Sequence, residues 1–471
     1  MYTTVNADRA VRKNPFDLVA DSFLQEDGLP FARVLSAQDI QRAFAQGNAL
    51  FAQEDIYSTQ VVLWAFLAQV LRDGKGAACA SAVADIATYM QQTGQVVPSG
   101  DTGDYCRARA KLDPRALRRL TVQTAAQLEA QAKDAWLWHG RHAKLVDGFT
   151  FTLPDTPANQ EAFPQMKSQK PGVGFPIARA CAVLSLATGA IHDLGVGPYE
   201  GKETGETALL RAIMDCLARG EIAVLDRLFC SFMVLAALKL RGVDVCTRLH
   251  PCRKNDVCRG QRLGDHDHLV TWTRPPCPAW MSPQTYAHIP QTMTLRELEF
   301  NVVSPGRRAE TITVITTLTD PLAYPKQDIA VLFGHRWNVE LDIRQIKQTL
   351  GLDHVRCKTP QMVQRELWTT LLAYNLVRKV IATAGALHHK PPRELGFTLA
   401  CQTILSSWML LATGAGRDAK ELWQWALERI AANPVANRPG RVEPRVLKRR
   451  RHRYPLMTRP RQALRQELCA T

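Results

Sequence analysis

One carboxylate stands among three cations and an aromatic ring between residues 333 and 347: Phe333, Arg336, Glu340, Arg344 and Lys347. On a single straight α-helix with Arg336 at about 0°, Lys347 falls near 20°, Glu340 near 40°, Phe333 near 60° and Arg344 near 80°. Val339, Ile343, Ile346 and Leu350 fall between about 280° and 340°, an apolar stripe beside the charged one. A carboxylate set among cations next to a core face suits a metal site that must also hold a polyanion. The plainer alternative is a surface helix with Arg336–Glu340 and Glu340–Arg344 ion pairs, each contributing about 0.2–0.5 kcal/mol.

Two upstream acids favour the metal site. Asp147 lies in Leu145-Val146-Asp147-Gly148, inside a strand-like run, and Asp226 ends the short apolar run from Glu221. These acids and Glu340 lie on separate elements and can meet only through the fold. Two Mg²⁺ ions roughly 3.5–4 Å apart need shared carboxylate oxygens, one ion activating a water or 3′-hydroxyl and the other stabilising the leaving oxygen. Each acid also has a structural reading, since Asp-Gly is common in turns and Asp commonly ends buried strands. Asp155, Asp193, Asp244 and Asp342 are rivals. Asp342 lies about 200° from Glu340 around a helix and cannot join its stripe.

The elements that must position these residues follow from periodicity. Residues 1–140 are expected to be helical, with apolar periodicity over 31–52, 59–72 and 81–91. A loop at 97–101 then leads to an Arg-bearing helix over 104–112, compatible with helix-turn-helix docking. From 145 the pattern becomes strand 145–153, strand 177–187, strand 190–196, helix 207–217, strand 221–226, helix 231–239 and strand 243–249. That order gives a mixed α/β sheet. Residues 250–325 read as β and loop, with strands at 268–273, 291–303 and 309–317. Helix returns over 326–386 and 398–431, and the tail after Asn433 reads as extended. The domain reading is therefore 1–140 helical, 141–249 with 326–386 catalytic, 250–325 a β-rich insertion, 387–432 helical and 433–471 a basic tail.

A chain of 471 residues has room for several domains. The net charge of +15 is uneven: between Arg438 and Arg465 there are eleven Lys or Arg, Lys448, Arg449 and Arg450 among them, against Glu443 alone. A basic tail plus a basic helix points to nucleic acid, with a solvated tail as the alternative. Residues 1–20 contain no apolar signal core, and no run is long enough to cross a membrane. Twelve scattered cysteines fit a reducing cytoplasm. Cys246, Cys252 and Cys258 recur every six positions, wider than zinc pairs usually stand, and read as ordinary thiols. The Gly264–His268 stretch reads as a turn.

The chain resembles the DDE-class insertion-sequence transposases, in particular the subgroup with a Tyr-x2-Arg-x3-Glu-x6-Lys signature. Here the four points are Phe333, Arg336, Glu340 and Lys347, with Phe in place of Tyr, so the ring is kept and the hydroxyl lost. Leu145–Gly148 with Leu153–Thr156 and Asn159 is similar to the family's first-aspartate region. Gly174-Phe175-Pro176 and Ala223–Arg227 are similar to the stretches leading to and holding the second. Leu228 stands where the family usually has Gly, and Tyr374–Arg378 and the Arg-rich tail are also similar. The resemblance implies an RNase H-like catalytic domain interrupted by a β-rich insertion. It implies Asp147, Asp226 and Glu340 as catalytic metal ligands for two Mg²⁺ ions, with Mn²⁺ an alternative. Phe333, Arg336, Arg344, Lys347, Lys448, Arg449 and Arg450 would bind DNA, the cations holding phosphates. In this subgroup a flipped base rests on aromatics, for which Trp272 and Trp280 qualify, although core packing is the other role open to each.

The resemblance further implies cut-and-paste transposition in a bacterial, nucleoid-associated setting. Hydrolysis at the element end would precede strand transfer by the freed 3′-hydroxyl. Partners would be double-stranded DNA, as terminal inverted repeats and target, and a second copy of the chain in the synaptic complex. A domesticated DNA-binding regulator and a metal-dependent structure-specific nuclease are the alternatives on the same fold.

Overall fold

The computed structural model describes residues 37–45, 56–92, 94–253, 260–302, 310–413, 419–435 and 455–470. Helices come first: α1 (Ala37–Phe44), α2 (Thr59–Leu71), α3 (Cys79–Gln92), α4 (Gly103–Lys111) and α5 (Pro114–Ala130). Their start signals are local. Ser58 caps α2 by accepting from the Val61 amide, and Asp113 caps α5 with Pro114 in its first turn. One face of α4 packs on the helical core, where Arg109 lies over the Phe66 ring and donates to Gln69 at 3.0 Å, while Arg107 and Lys111 are exposed.

The sheet begins with β1 (Ala143–Thr152), followed by a short α6 (Pro157–Ala162), β2 (Ile177–Ser185) and β3 (Ile191–Pro198). Then come α7 (Glu206–Ile213), β4 (Ile222–Leu225), α8 (Phe232–Leu240) and β5 (Asp244–Arg248). β1–β2 and β2–β3 are antiparallel, whereas β1–β4 and β4–β5 are parallel. The order β3-β2-β1-β4-β5 with these directions is the RNase H-like sheet that the resemblance implies. Near-continuous apolar runs in β2 and β4 follow from burial on both faces.

The strands between β5 and the Glu340 helix continue this sheet. β6 (Gln261–Gly264), β7 (Asp267–Thr273), β8 (Thr292–Val302) and β9 (Glu310–Thr316) form a meander, and β9 pairs antiparallel with β5. Nine strands thus run in the order 3-2-1-4-5-9-8-7-6. The Gly264–His268 stretch is the β6–β7 turn, with His266 at positive φ, and α9 (Pro283–His288) lies between β7 and β8.

Three expectations are corrected. Residues 326–386 are α10 (Lys326–Gly334), α11 (Trp337–Arg344), a π turn (Gln345–Thr349), a non-helical stretch and α12 (Pro360–Leu387). The straight helix through 333–347 is therefore broken at His335–Arg336, where 3₁₀-type bonds run from Arg336 N to Phe333 O and from Val339 N to Arg336 O. The π turn shifts the phase again before Lys347. After α13 (Phe397–Thr413) and α14 (Ala419–Ala431), the tail is not all extended, because Arg461–Ala470 forms α15. Lys448, Arg449, Arg450, Cys258 and parts of the expected 31–52 helix lie outside the described residues.

One core joins the N-terminal helices, α12 and one sheet face; a second packs α7 and α8 on the other face with the β7–β9 strands. Buried Asn375 on α12 ties these parts, donating to the Thr121 and Ile191 carbonyls and accepting from the Ile191 amide.

Candidate active site

Asp147 and Asp226 reach one end of the sheet by register. Val146 pairs with Leu225 in the parallel β1–β4 ladder, and each acid is the next residue along its strand. The Gly148 amide donates to Asp147 at 2.8 Å. Asp226 leads a 3₁₀ turn over Arg227–Phe229 at negative φ, so Leu228 fits where a glycine was expected.

Glu340 comes across from α11, which packs on β1. Its side chain accepts from Arg336 at 2.8 Å, and the same guanidinium lies 3.7 Å from Asp147. Arg336 therefore bridges the first and third acids. The rotation of α11 is fixed from behind, because buried Asp342 accepts from both Arg378 and Arg393. Arg378 also donates to the Tyr374 hydroxyl at 2.9 Å, which itself donates to the Gly189 carbonyl. The Tyr374–Arg378 segment is thus the brace behind the helix that presents Glu340 to Arg336.

Burial pushes the Asp147 carboxyl up to about 6. The Asp226 and Glu206 charges add to this, while the Gly148 amide and Arg336 oppose it. Burial likewise raises Glu206, helped by Asp226 and opposed by Arg179. Crowded acids with Arg336 beside them are short of positive charge, and hard carboxylate oxygens are the donors a divalent cation takes. Among the described residues no three His, Cys, Asp or Glu side chains already stand close enough to enclose an ion. Arg336 fills the space between Asp147 and Glu340 instead.

The rival acids have other partners. Asp193 accepts from Arg118, Asp244 from Arg141 at 2.7 Å and Asp155 from Gln160 at 2.9 Å. Lys347 is on the π turn and pairs with Asp353 at 2.9 Å, whereas Arg344 is exposed. Phe333 is half-buried against the core at the end of α10. Trp272 is half-buried on β7 under the Arg253 guanidinium, and Trp280 is exposed with Arg211 of α7 over its ring at 3.8 Å. Sequence reasoning missed Glu206 and the Arg378–Asp342–Arg393 brace. An acid opening an amphipathic helix carries no signal of where its carboxylate lands.

An RNase H-like sheet with acids just beyond the end of the parallel β1–β4 ladder, and a third on a packed helix, defines a nucleic-acid phosphoryl-transfer fold. Residues 138–376 match the family described as Transposase DDE domain, and the chain belongs to that family. It is 28% identical over 353 residues to the transposase InsG for insertion sequence element IS4 of Escherichia coli strain K12, covering 74% of this chain and 77% of that protein. InsZ of the same organism is 27% identical over 162 residues, covering 34% of this chain and 52% of InsZ. The piggyBac transposase, solved in a synaptic complex with hairpin DNA, is a distant structural likeness. Its TM-score is 0.45 at 8% identity, over 91% of this chain and 87% of that one. The protein is thus a DNA transposase, an enzyme of a divalent-metal-dependent class that cleaves and transfers DNA strands. No helix among the described residues is long and apolar enough to cross a membrane.

Proposed function

We propose that this enzyme excises a DNA element by hydrolysis at its ends and joins it to target DNA through the freed 3′-hydroxyl, using Asp147, Asp226 and Glu340 to hold two Mg²⁺ ions. Mn²⁺ would serve as well. The observation that supports the reading is that Asp147 and Asp226 each follow the Val146–Leu225 pair by one residue, while Arg336 links Asp147 to Glu340 on the packed helix. When bound, the two ions activate the attacking oxygen and stabilise the leaving one.

The chain's own residues do the rest. Asp147, with its carboxyl pushed up to about 6, is mostly ionised at neutral pH, the form that would hold a cation. Arg336 releases Glu340 and Asp147 and turns to a phosphate, so that one guanidinium balances the acids in the free protein and the backbone in the complex. Arg344 and Lys347 hold phosphates near the cleaved end, Lys347 after leaving Asp353. Phe333 supports the signature helix through its ring, consistent with the Tyr-Arg-Glu-Lys subgroup without the hydroxyl. Trp272, with Trp280 nearer solvent, offers a stacking face for a displaced base. Lys448, Arg449 and Arg450 hold further phosphates. Residues 1–140 recognise the terminal inverted repeats, and two copies of the chain pair the ends.

The test is cleavage of a labelled duplex ending in the repeat that flanks the gene, with Mg²⁺, by wild type and Glu340→Gln. Cleavage at the repeat end by wild type alone is expected. Equal cleavage by both removes Glu340 from the ligand set, and binding without cleavage by either favours a regulator.

A further inference from the structure

Glu206 opens α7, where an acid is ordinarily explained by the partial positive charge of a helix N-terminus. Its placement does not fit that role alone. The carboxylate lies over the backbone of Gly148, the residue after Asp147. A Cβ built on Gly148 would stand 2.0 Å from Glu206 Cδ and 2.3 Å from its Oε2. Only glycine leaves room for the carboxylate there.

The position is fixed by packing. α7 sits down onto β2 and β3, where a Cβ on Gly195 would come within 2.7 Å of the Leu209 carbonyl oxygen. The Glu206 side chain forms no hydrogen bond or ion pair among the described residues. Arg179 acts on it at longer range while lying over the Tyr199 ring and donating to the Thr204 carbonyl. The Glu206 charge is felt at Asp147, and that of Asp226 at Glu206. A half-buried carboxylate is therefore held in a cradle over the residue next to Asp147, with no side-chain partner of its own among the described residues.

We propose that Glu206 is a fourth carboxylate of the cation site, acting with Asp147 and Asp226 on the face opposite Glu340's approach. This rests on the two-ion reading above. Glu206 would accept from a metal-bound water or ligate directly, and in either case it would raise the affinity of the site for the ion.

The experiment is a calorimetric Mn²⁺ titration of the full-length wild type, Glu206→Gln, Glu206→Asp, Gly148→Ala and Asp226→Asn, with repeat-end cleavage measured against Mn²⁺ concentration in parallel. Glu206→Gln is expected to weaken Mn²⁺ binding about tenfold or more and to move the cleavage curve to higher Mn²⁺ by the same factor. Glu206→Asp should recover part of the loss. Gly148→Ala, which expels the carboxylate while keeping its charge, should weaken binding likewise and covers the case in which Glu206→Gln does not fold. If Glu206→Gln cleaves poorly but titrates as wild type, its role is structural and the inference is overturned. If Asp226→Asn also titrates as wild type, the two-ion reading itself fails. Weaker binding in Asp226→Asn with none in Glu206→Gln overturns only the inference.

Discussion

Asp342 and Arg378 meet in a buried ion pair directly behind the helix that presents Glu340, two residues away. The pair sets which side of α11 faces the sheet, and Arg393 closes it from the next segment. A surface pair at that place would leave the helix free to turn. A buried one makes rotation expose an uncompensated charge.

Asp342→Ala should therefore cost about 3–5 kcal/mol of stability, since it strands two arginines in the interior. Glu340→Gln, at a partly exposed acid that keeps an acceptor for Arg336, should change stability by less than about 1 kcal/mol. Urea unfolding of the two variants checks this, and equal midpoints would show that the brace does not bear on the fold.

Acidification should destabilise the protein in two windows. Glu129, Lys144, His192, His142 and Glu221 form a polar cluster between α5 and the sheet. Burial opposes ionisation of Glu129, but hydrogen bonds from His142 and His192 and the Lys144 charge outweigh it and hold the carboxyl well below its usual range. That contribution is present above the unfolded value of about 4.3 and is lost as pH falls below it. Burial, with Lys144, lowers His192 against the pull of Glu129. The unfolded chain therefore takes up that proton first, and stability falls as pH drops below about 6.5. Denaturation midpoints between pH 7.5 and 4 should decline throughout. A profile flat from 7 to 5 would remove the His192 part.

Gly195→Ala should raise α7 off β3 and destabilise by about 1–3 kcal/mol through overpacking. Gly100→Ala, with nothing within 4 Å of its added carbon, is the control. Thermal melting separates them. Since α7 also carries Glu206, Gly195→Ala should weaken Mn²⁺ binding as well, and unchanged binding would show that the height of α7 does not matter to the site.

Replacing Lys448, Arg449 and Arg450 together by Ala should weaken binding to any duplex and flatten its dependence on salt. The slope of log K against log salt should shrink by about 0.9 for each phosphate that is no longer neutralised. Filter-binding on repeat and unrelated duplexes checks it. Weakening confined to the repeat would assign these residues to sequence reading instead.

The five strands β1–β5, their order along the chain, Asp147 on β1 and Asp226 at the end of β4 were legible in the sequence. Alternation, apolar runs and Gly or Pro stops are local signals, each written within about ten residues. The spacing of Phe333, Arg336, Glu340 and Lys347 was legible too, but not its geometry. A constant 100° step could not foresee the break at His335–Arg336 or the π turn at Gln345, because the rotation of α11 is fixed by Arg378 and Arg393, which lie beyond the signature in the chain. Tertiary structure alone decided that β6–β9 extend the β1–β5 sheet through the β5–β9 pair. It alone set the Glu206 carboxylate over Gly148, through glycines on two strands that let α7 approach. Sequence periodicity specifies which face of an element is apolar, whereas the contacts that position a charged atom to within an ångström join residues distant in the chain.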